Sequence, residues 1–160
     1  PASLREEQDA LLLEVWRACN QSGHELLLEV IQPENGPLKD QQHYHDMLAH
    51  FYRLGIKPDW WKLPPLTSLH WQNIRELIAR EDPWCRGILL LGLDAPQAQL
   101  REGFAEAAMH TIIKGFAVGR TIFGEPSRSW MQGELDDNAL ISEVKTNYLT
   151  LIGFWREARR

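Results

Sequence analysis

Three charged side chains stand at points of the sequence where predicted strands would present them to a ligand. Glu29 interrupts the apolar run LLLEVI, Lys62 is near the end of IKPDWWKL, and Arg120 follows the glycine of KGFAVGRTIFG. A carboxylate inside an apolar strand has to be paired or neutral, so Glu29 is expected to be an acid–base group or the partner of a lysine. A desolvated lysine amine is a nucleophile that can form an imine. An arginine offers a fork of donors that fits a phosphate.

Each of these side chains also has a purely structural interpretation. Glu29 could be tied to one Lys or Arg for stability alone. Lys62 follows Trp60 and Trp61, whose bulk would strip water from its amine and leave it uncharged, or its head could reach solvent past the two rings. Arg120 could pair with a neighbouring acid at the end of a strand.

The stretch from Thr111 to Arg128, TIIKGFAVGRTIFGEPSR, favours the phosphate interpretation for Arg120. Alternation places Lys114 and Arg120 on one side of a predicted strand, with Arg120 at its carboxyl end. Backbone amides from the Gly119 turn and from a helix predicted to start near Pro126 would lie beside the guanidinium. A cation together with the amino end of a helix is a good phosphate site.

Three further residues complete the candidate site. Lys114 is the competing amine: it could form the imine itself, lower the pKa of a neighbouring amine, or pair with Glu29. Gly92, at the end of another predicted strand, would let a ligand approach the backbone. Asp94 is predicted to cap the helix that follows.

The hydrophobic pattern predicts an alternation of helices and strands that would position these residues. The predicted strands are Leu26–Ile31, Ile56–Leu63, Gly87–Leu93 and Ile112–Phe123. The predicted helices run from Ser3 to Asn20, from Gln42 to Leu54, from Thr67 or Ser68 to about Arg80, from near Pro96 to about Met109, and from Asp136 or Asp137 through Trp155, with one helical turn after Pro126. Residues 32–40 are predicted to be a loop.

The spacing of the strands is that of four βα units. All four strands are strongly apolar, so we expect both faces of each to be covered. Two α/β architectures fit: a small open doubly-wound, flavodoxin-like sheet that binds a phosphosugar, and the carboxyl-terminal half of a TIM (β/α)8 barrel, which in full needs about 250 residues. No glycine fingerprint for a dinucleotide follows the first strand, and polar residues sit at several strand ends. These features favour the half barrel.

The composition is that of an ordinary globular protein. The chain has 160 residues with a net charge of −5, and we expect residues 1–160 to form a single domain. There is no basic stripe for nucleic acid and no apolar run long enough for a membrane span. Two isolated cysteines favour free thiols in the cytosol. His43 and His45 are two residues apart and so point to different sides of a helix, and no metal site is predicted.

The predicted strands resemble those of a known group. LLLEVI, IKPDWWKL, GILLLGLDA and IIKGFAVGRTIFG resemble the second half of the class I aldolase barrels related to tagatose-bisphosphate aldolase. Over essentially its whole length the chain is similar to the aldolase-like domain attached to bacterial 5-dehydro-2-deoxygluconokinase of myo-inositol catabolism, of which it covers about half. KPDWWKL and KGFAVGRTIFG are the most specific of these stretches.

The resemblance implies a function and a role for each candidate residue. Lys62 would correspond to the imine-forming lysine and Glu29 to a carboxylate beside it, while Gly92, Gly119 and Arg120 would correspond to the phosphate site. The implied reaction is the cleavage of a ketose phosphate, 2-deoxy-5-keto-gluconate 6-phosphate, with no metal or organic cofactor. The departure from the family pattern is at Leu93 and Asp94, where small polar residues are expected.

A second function remains open. The chain could be a non-catalytic accessory or assembly domain of the neighbouring or fused sugar kinase. A half barrel would expose two sheet edges and one face of its core, so we expect it to pair with a second copy of itself or with the missing half of the barrel.

Overall fold

The computed structural model describes residues 2–31 and 41–160 and confirms an α/β architecture. The helices are α1 (Ala2–Ser22), α2 (Gln42–Arg53), α3 (Ser68–Glu81), α4 (Gln97–Ala107), α5 (Arg120–Met131) and α6 (Asp137–Ala158). The strands are β1 (Leu27–Glu29), β2 (Trp60–Leu63), β3 (Gly87–Leu91) and β4 (Ile113–Ala117). The loop predicted for residues 32–40 lies outside the described residues. None of the described helices is both long and apolar enough to cross a membrane.

The order of the strands in the sheet is the order in which they occur in the chain, β1-β2-β3-β4. The parallel register of the first pair sets Leu27 against Trp60, Leu28 against Trp61 and Glu29 against Lys62. A doubly-wound sheet would reverse its strand order at a switch point, whereas a barrel adds each βα unit next to the last. The sequential order is therefore compatible with four consecutive units of a half barrel.

The strands are shorter than predicted. Strand β2 begins at Trp60 and not at the predicted Ile56, since Pro58 has no N–H to donate to a neighbouring strand. The largest error concerns the fourth strand, which ends at Ala117 and not at Phe123. Residues Arg120 to Phe123 belong to the first turn of α5 instead.

The chain divides into two compact units, one of residues 1–63 and 69–88 and the other of residues 64–68 and 89–160. In the first unit, the fully buried Trp61 ring stacks on Phe51 of α2, and its Nε1 donates to the Tyr52 hydroxyl at 2.9 Å. Burial raises the pKa of Tyr52, which keeps the phenol neutral in this core. One face of β1 and β2 is thus packed against helix α2.

The opposite face of this strand pair is less covered than the sequence predicts. Leu28, Trp61 and Leu63 are buried, but Leu27 and Glu29 are exposed and Lys62 is half-buried. The expectation that both faces of these strands are covered is therefore wrong for β1 and β2 within the described part of the first unit. Glu29 and Lys62 lie on this open face.

The second unit is held by an aromatic cluster. Phe116 of β4 stacks on Phe104 of α4 with ring centroids 4.9 Å apart, and Trp155 of α6 meets Phe104 edge-on at 5.6 Å. Leu151 of α6 is fully buried. The cluster fixes α4 and α6 on the Phe116 side of β4.

Helix α5 contains a proline in its interior. The sequence predicts that Pro126 opens a helical turn, but the helix begins six residues earlier, at Arg120. A proline there has no N–H for the carbonyl of Ile122, four residues before it. Asn147 of α6 supplies the missing donor, since its Nδ2 lies 2.9 Å from the Ile122 oxygen. The side chain of Gln97 in turn donates to Asn147 Oδ1 at 3.2 Å.

Candidate functional site

Glu29 and Lys62 form a cross-strand pair on the open face of the first unit. They are register partners in β1 and β2, and Lys62 Nζ lies 2.8 Å from Glu29 Oε1. The side chains are 20% exposed for Lys62 and 35% exposed for Glu29, so a ligand can reach both. At this distance the carboxylate can hold the ammonium or accept a proton from it.

The surroundings of Lys62 differ from the sequence-based expectation. Trp61 points to the opposite, buried face of β2, as the alternation of adjacent residues in a strand requires. Trp60 does share the face of Lys62, and its Nε1 donates to Glu25 Oε2 at 2.7 Å. The interpretation that two tryptophans wall in an uncharged amine is therefore wrong for Trp61, and the immediate partner of the amine is a carboxylate.

Arg120 is the first residue of α5 and not the last residue of a strand. Gly119 is the residue at the amino cap of the helix. The Arg120 Nη1 atom lies 3.8 Å from Asp94 Oδ2, and these side chains are 64% and 55% exposed. The expected amino end of a helix is present, but it belongs to the arginine's own helix. The alternative interpretation of Arg120, a pairing with a neighbouring acid, is also met by this contact.

Asp94 does not cap α4, contrary to the sequence-based prediction. The cap position of α4 is Pro96, which has no side-chain acceptor, and Asp94 lies two residues before it. Leu93 and Asp94 both have left-handed backbones, with φ of 47° and 63°. Such values are costly for residues with side chains and are often found at ligand sites. Leu93 and Asp94, where the sequence departs from the aldolases that it resembles, thus lie in a turn with a strained backbone.

A pocket of about 440 Å³ opens beside this turn in the second unit. Arg120, Thr121 and Arg128 of α5 line it, together with Asp94 and Glu125. Arg128 is paired with Glu125 in the same helix. The pocket is large enough for a phosphate. Each of its two arginines is paired with a carboxylate, and the amino end of α5 would favour an anion.

The two candidate glycines are explained by packing. A Cβ on Gly92 would lie 2.9 Å from Cγ1 of Val118, so a side chain there requires Val118 to move. A Cβ on Gly119 would lie 3.1 Å from the Phe123 ring. The lack of a side chain at Gly92 therefore leaves space for Val118. This packing is a structural reason for the glycine, in addition to its expected role in letting a ligand approach the backbone.

Lys114 lies on the side of β4 that faces helices. It shares that side with Phe116, which packs on α4 and α6, and its own side chain is exposed at the amino end of the strand. Its Nζ donates to the carbonyl oxygen of Thr111 at 2.8 Å. Gly115, the next residue, faces the other way, toward Leu89. The described partner of Lys114 is therefore a backbone carbonyl, whereas that of Lys62 is a carboxylate.

A second acid–base pair, which the sequence patterns did not predict, lies between α1 and α2. His50 Nε2 lies 2.9 Å from both carboxylate oxygens of Asp9, and both side chains are largely buried. A pocket of about 370 Å³ adjoins this pair. Forty-one residues separate the two partners, so no local motif signals the contact. The pair joins two helices, and His50 also contacts the Phe51 ring, which stacks on Trp61.

The described residues contain no group of three or more His, Cys, Asp or Glu side chains that could hold a metal ion. A protein-family model with the description "Uncharacterized protein conserved in bacteria (DUF2090)" matches residues 1–159. No curated protein matches the chain.

Proposed function

The chain belongs to the DUF2090 family, and we propose that it is a class I aldolase domain whose imine forms on Lys62. The observation that carries the proposal is the cross-strand pair: an amine 2.8 Å from a carboxylate, on an open sheet face that a ligand can reach. Imine chemistry needs a lysine nitrogen and a nearby group that moves its proton. Glu29 and Lys62 supply these two parts.

The proposed reaction begins with Glu29 and Lys62. Glu29 accepts a proton from the Lys62 ammonium, and the free amine attacks the ketose carbonyl carbon to give a carbinolamine. The hydroxyl then leaves as water, aided by the proton on Glu29, and an iminium remains. Glu29, again a carboxylate, then takes the proton of the hydroxyl on the leaving carbon; the C–C bond breaks, the first product leaves as an aldehyde, and the electron pair of the bond moves into the iminium to give an enamine. Protonation of the enamine and hydrolysis return the second product and the lysine.

The second unit has features of its own that would bind a phosphate. Arg120 lies at the amino end of α5 beside a pocket of about 440 Å³, and Gly119 caps that helix without a side chain. An anion there would gain from the guanidinium and from the positive amino end of the helix. Because Gly92 has no side chain, it would leave room for Val118 to pack against the end of β3.

The substrate that we propose is 2-deoxy-5-keto-gluconate 6-phosphate, on the basis of the sequence resemblance. Its products would be dihydroxyacetone phosphate and malonate semialdehyde. The mechanism needs no metal or organic cofactor, because the iminium itself is the electron sink. The proposed setting is the cytosol, with a fused or neighbouring sugar kinase as the source of the phosphorylated substrate.

Borohydride trapping tests the proposal. The full chain is incubated with the ketose phosphate and sodium borohydride, and the modified peptide is identified by mass spectrometry. We expect one reduced adduct, on Lys62, which disappears in Lys62→Arg and persists in the matched control Lys57→Arg. An adduct on Lys114 would assign the imine to the other amine. If neither lysine is modified when the kinase is also present, the aldolase proposal fails.

The alternative is a non-catalytic accessory or assembly domain for the kinase. It is favoured by two exposed apolar side chains near Glu29, those of Leu27 and Ile31. Apolar side chains on an uncovered sheet are typical of a surface that another chain covers. Sedimentation of the wild type and of Leu27→Glu, each alone and with the kinase, measures whether this surface binds a second copy or the kinase. A partner complex lost in the variant, together with no borohydride adduct, would favour assembly over catalysis.

A further inference from the structure

The turn from Gly92 to Ala95 adopts a conformation that its sequence disfavours. Ala95 N–H donates to the Gly92 carbonyl at 2.9 Å, which closes a four-residue turn around Leu93 and Asp94. Both central residues have positive φ. Turns of this kind normally use glycine, asparagine or aspartate at these positions, so Asp94 suits the turn but the longer apolar side chain of Leu93 does not. Some other contact must therefore help to hold the turn.

Two contacts from the first turn of α5 hold it. Thr121 Oγ1 donates to the Ala95 carbonyl at 2.9 Å, and the Arg120 guanidinium lies 3.8 Å from the Asp94 carboxylate. The latter distance is that of an ion pair without a hydrogen bond. The charge of Arg120 is thus occupied by a carboxylate that a better acceptor could replace.

We infer that Asp94 is an internal competitor for the phosphate site, and this rests on the proposed role of Arg120. A phosphate monoester carries up to two charges and three acceptor oxygens, so it can take hydrogen bonds from Arg120 that Asp94 does not make. Entry of the phosphate displaces the carboxylate, and the Leu93–Asp94 turn is then free to leave its disfavoured conformation. The Asp94 carboxylate therefore weakens anion binding, and anion binding changes the conformation of the Leu93–Asp94 turn.

The experiment titrates inorganic phosphate into the full chain at pH 8 and constant ionic strength, with backbone amide resonances as the readout. Asp94→Asn keeps the size of the side chain and removes its charge. Glu143→Gln is the matched control, because it removes an exposed carboxylate of the same unit that does not line this pocket. Circular dichroism of all three proteins shows whether the fold is retained.

We expect Asp94→Asn to lower the phosphate Kd by about three- to fivefold, which is the size of an exposed ion pair. Glu143→Gln should change it by less than about twofold. In the wild type, phosphate should also shift the amides of Leu93 and Asp94, which a merely structural role for Asp94 would not produce.

An equal gain in both variants would show a general effect of charge and would overturn the inference. The absence of a shift at Leu93 and Asp94 during saturation would also overturn it. If no variant binds phosphate, both this inference and the phosphate role of Arg120 fail, while the imine on Lys62 is judged separately by borohydride trapping.

Discussion

The side-chain amide of Asn147 replaces a backbone donor that Pro126 lacks, by donating to the Ile122 carbonyl at 2.9 Å. A proline in a helix interior normally leaves this carbonyl without its partner and bends or breaks the helix. Here a residue of the adjacent helix α6 satisfies it. The start of α5, where Arg120 lies, is thereby connected to the body of the second unit.

The contact predicts an energetic coupling between the two residues. Asn147→Ala should lower the free energy of unfolding by about 1–3 kcal/mol, since it leaves a part-buried carbonyl unpaired. In a Pro126→Ala background the cost should be smaller, because the alanine brings a backbone N–H that can donate to the Ile122 carbonyl. Urea denaturation of the four proteins in a double-mutant cycle measures the coupling.

The exposed Asn138, near the start of the same helix, supplies the control for this cycle. Asn138→Ala should change the free energy of unfolding by less than about 0.5 kcal/mol. Equal costs for Asn147→Ala in both backgrounds would contradict the replacement of the backbone donor.

The second prediction concerns proton transfer at Lys62. Glu29→Gln keeps the shape of the side chain but cannot accept the lysine proton. We expect the rate of borohydride-trapped adduct formation to fall by about a hundredfold or more. Glu25→Gln is the control, as it removes a carboxylate of the same unit that binds Trp60 and Arg86. If both substitutions slow the reaction equally, the role of Glu29 is structural.

The third prediction uses the disfavoured turn. Leu93→Gly removes the β-carbon at a φ of 47° and should raise the free energy of unfolding by about 0.5–1 kcal/mol. Gly133 has a φ of 77°, and a β-carbon added to it would meet no other atom within 4 Å, so only backbone strain opposes a side chain there. Gly133→Ala should therefore destabilise the protein by about 1 kcal/mol. Thermal unfolding of both variants checks the opposite signs, and a loss in Leu93→Gly would show that the turn is not strained.

The fourth prediction follows from the buried Asp82. Burial raises the pKa of its carboxyl group, with the Lys57 charge acting in the opposite direction. The native state therefore keeps the proton to a higher pH than the unfolded chain does. The stability that Asp82 contributes falls as the pH rises from the usual value of about 3.9 through the raised pKa.

Asp82→Asn removes this titration. The free energy of unfolding of the variant, relative to wild type, should be higher at pH 7 than at pH 4, as measured by urea denaturation at the two values. Glu7→Gln, on the exposed surface of α1, controls for the loss of a negative charge. A difference that is the same at both pH values would mean that Asp82 ionises as readily in the native state as in the unfolded chain.

Sequence patterns predicted the alternation of elements, with Glu29 inside the first strand and Lys62 near the end of the second. They could also have shown that Trp61 and Lys62 point to opposite faces, because neighbouring residues of a strand always do. The burial of Trp61 against α2 confirms this period of two. What the pattern does not contain is the register, which depends on contacts between residues 33 positions apart.

The error at Arg120 has a different cause. Gly124 and Pro126 in TIFGEPSR are typical helix breakers, so the local sequence argues against the helix that is present. The donor that compensates for Pro126 is Asn147, 21 residues later in the chain. A contact of that range overrides local propensity, and no window of sequence around Arg120 contains it.

The register pairing of Glu29 with Lys62 also has a consequence for how the chain folds. If β1 slipped by one residue along β2, Glu29 would lie across from Trp61 or Leu63, and its charge would meet the apolar core with no counter-ion. Mispaired forms of the two strands are therefore destabilised relative to the native register. The same ion pair that we assign to catalysis would thus act during folding as a check on strand alignment.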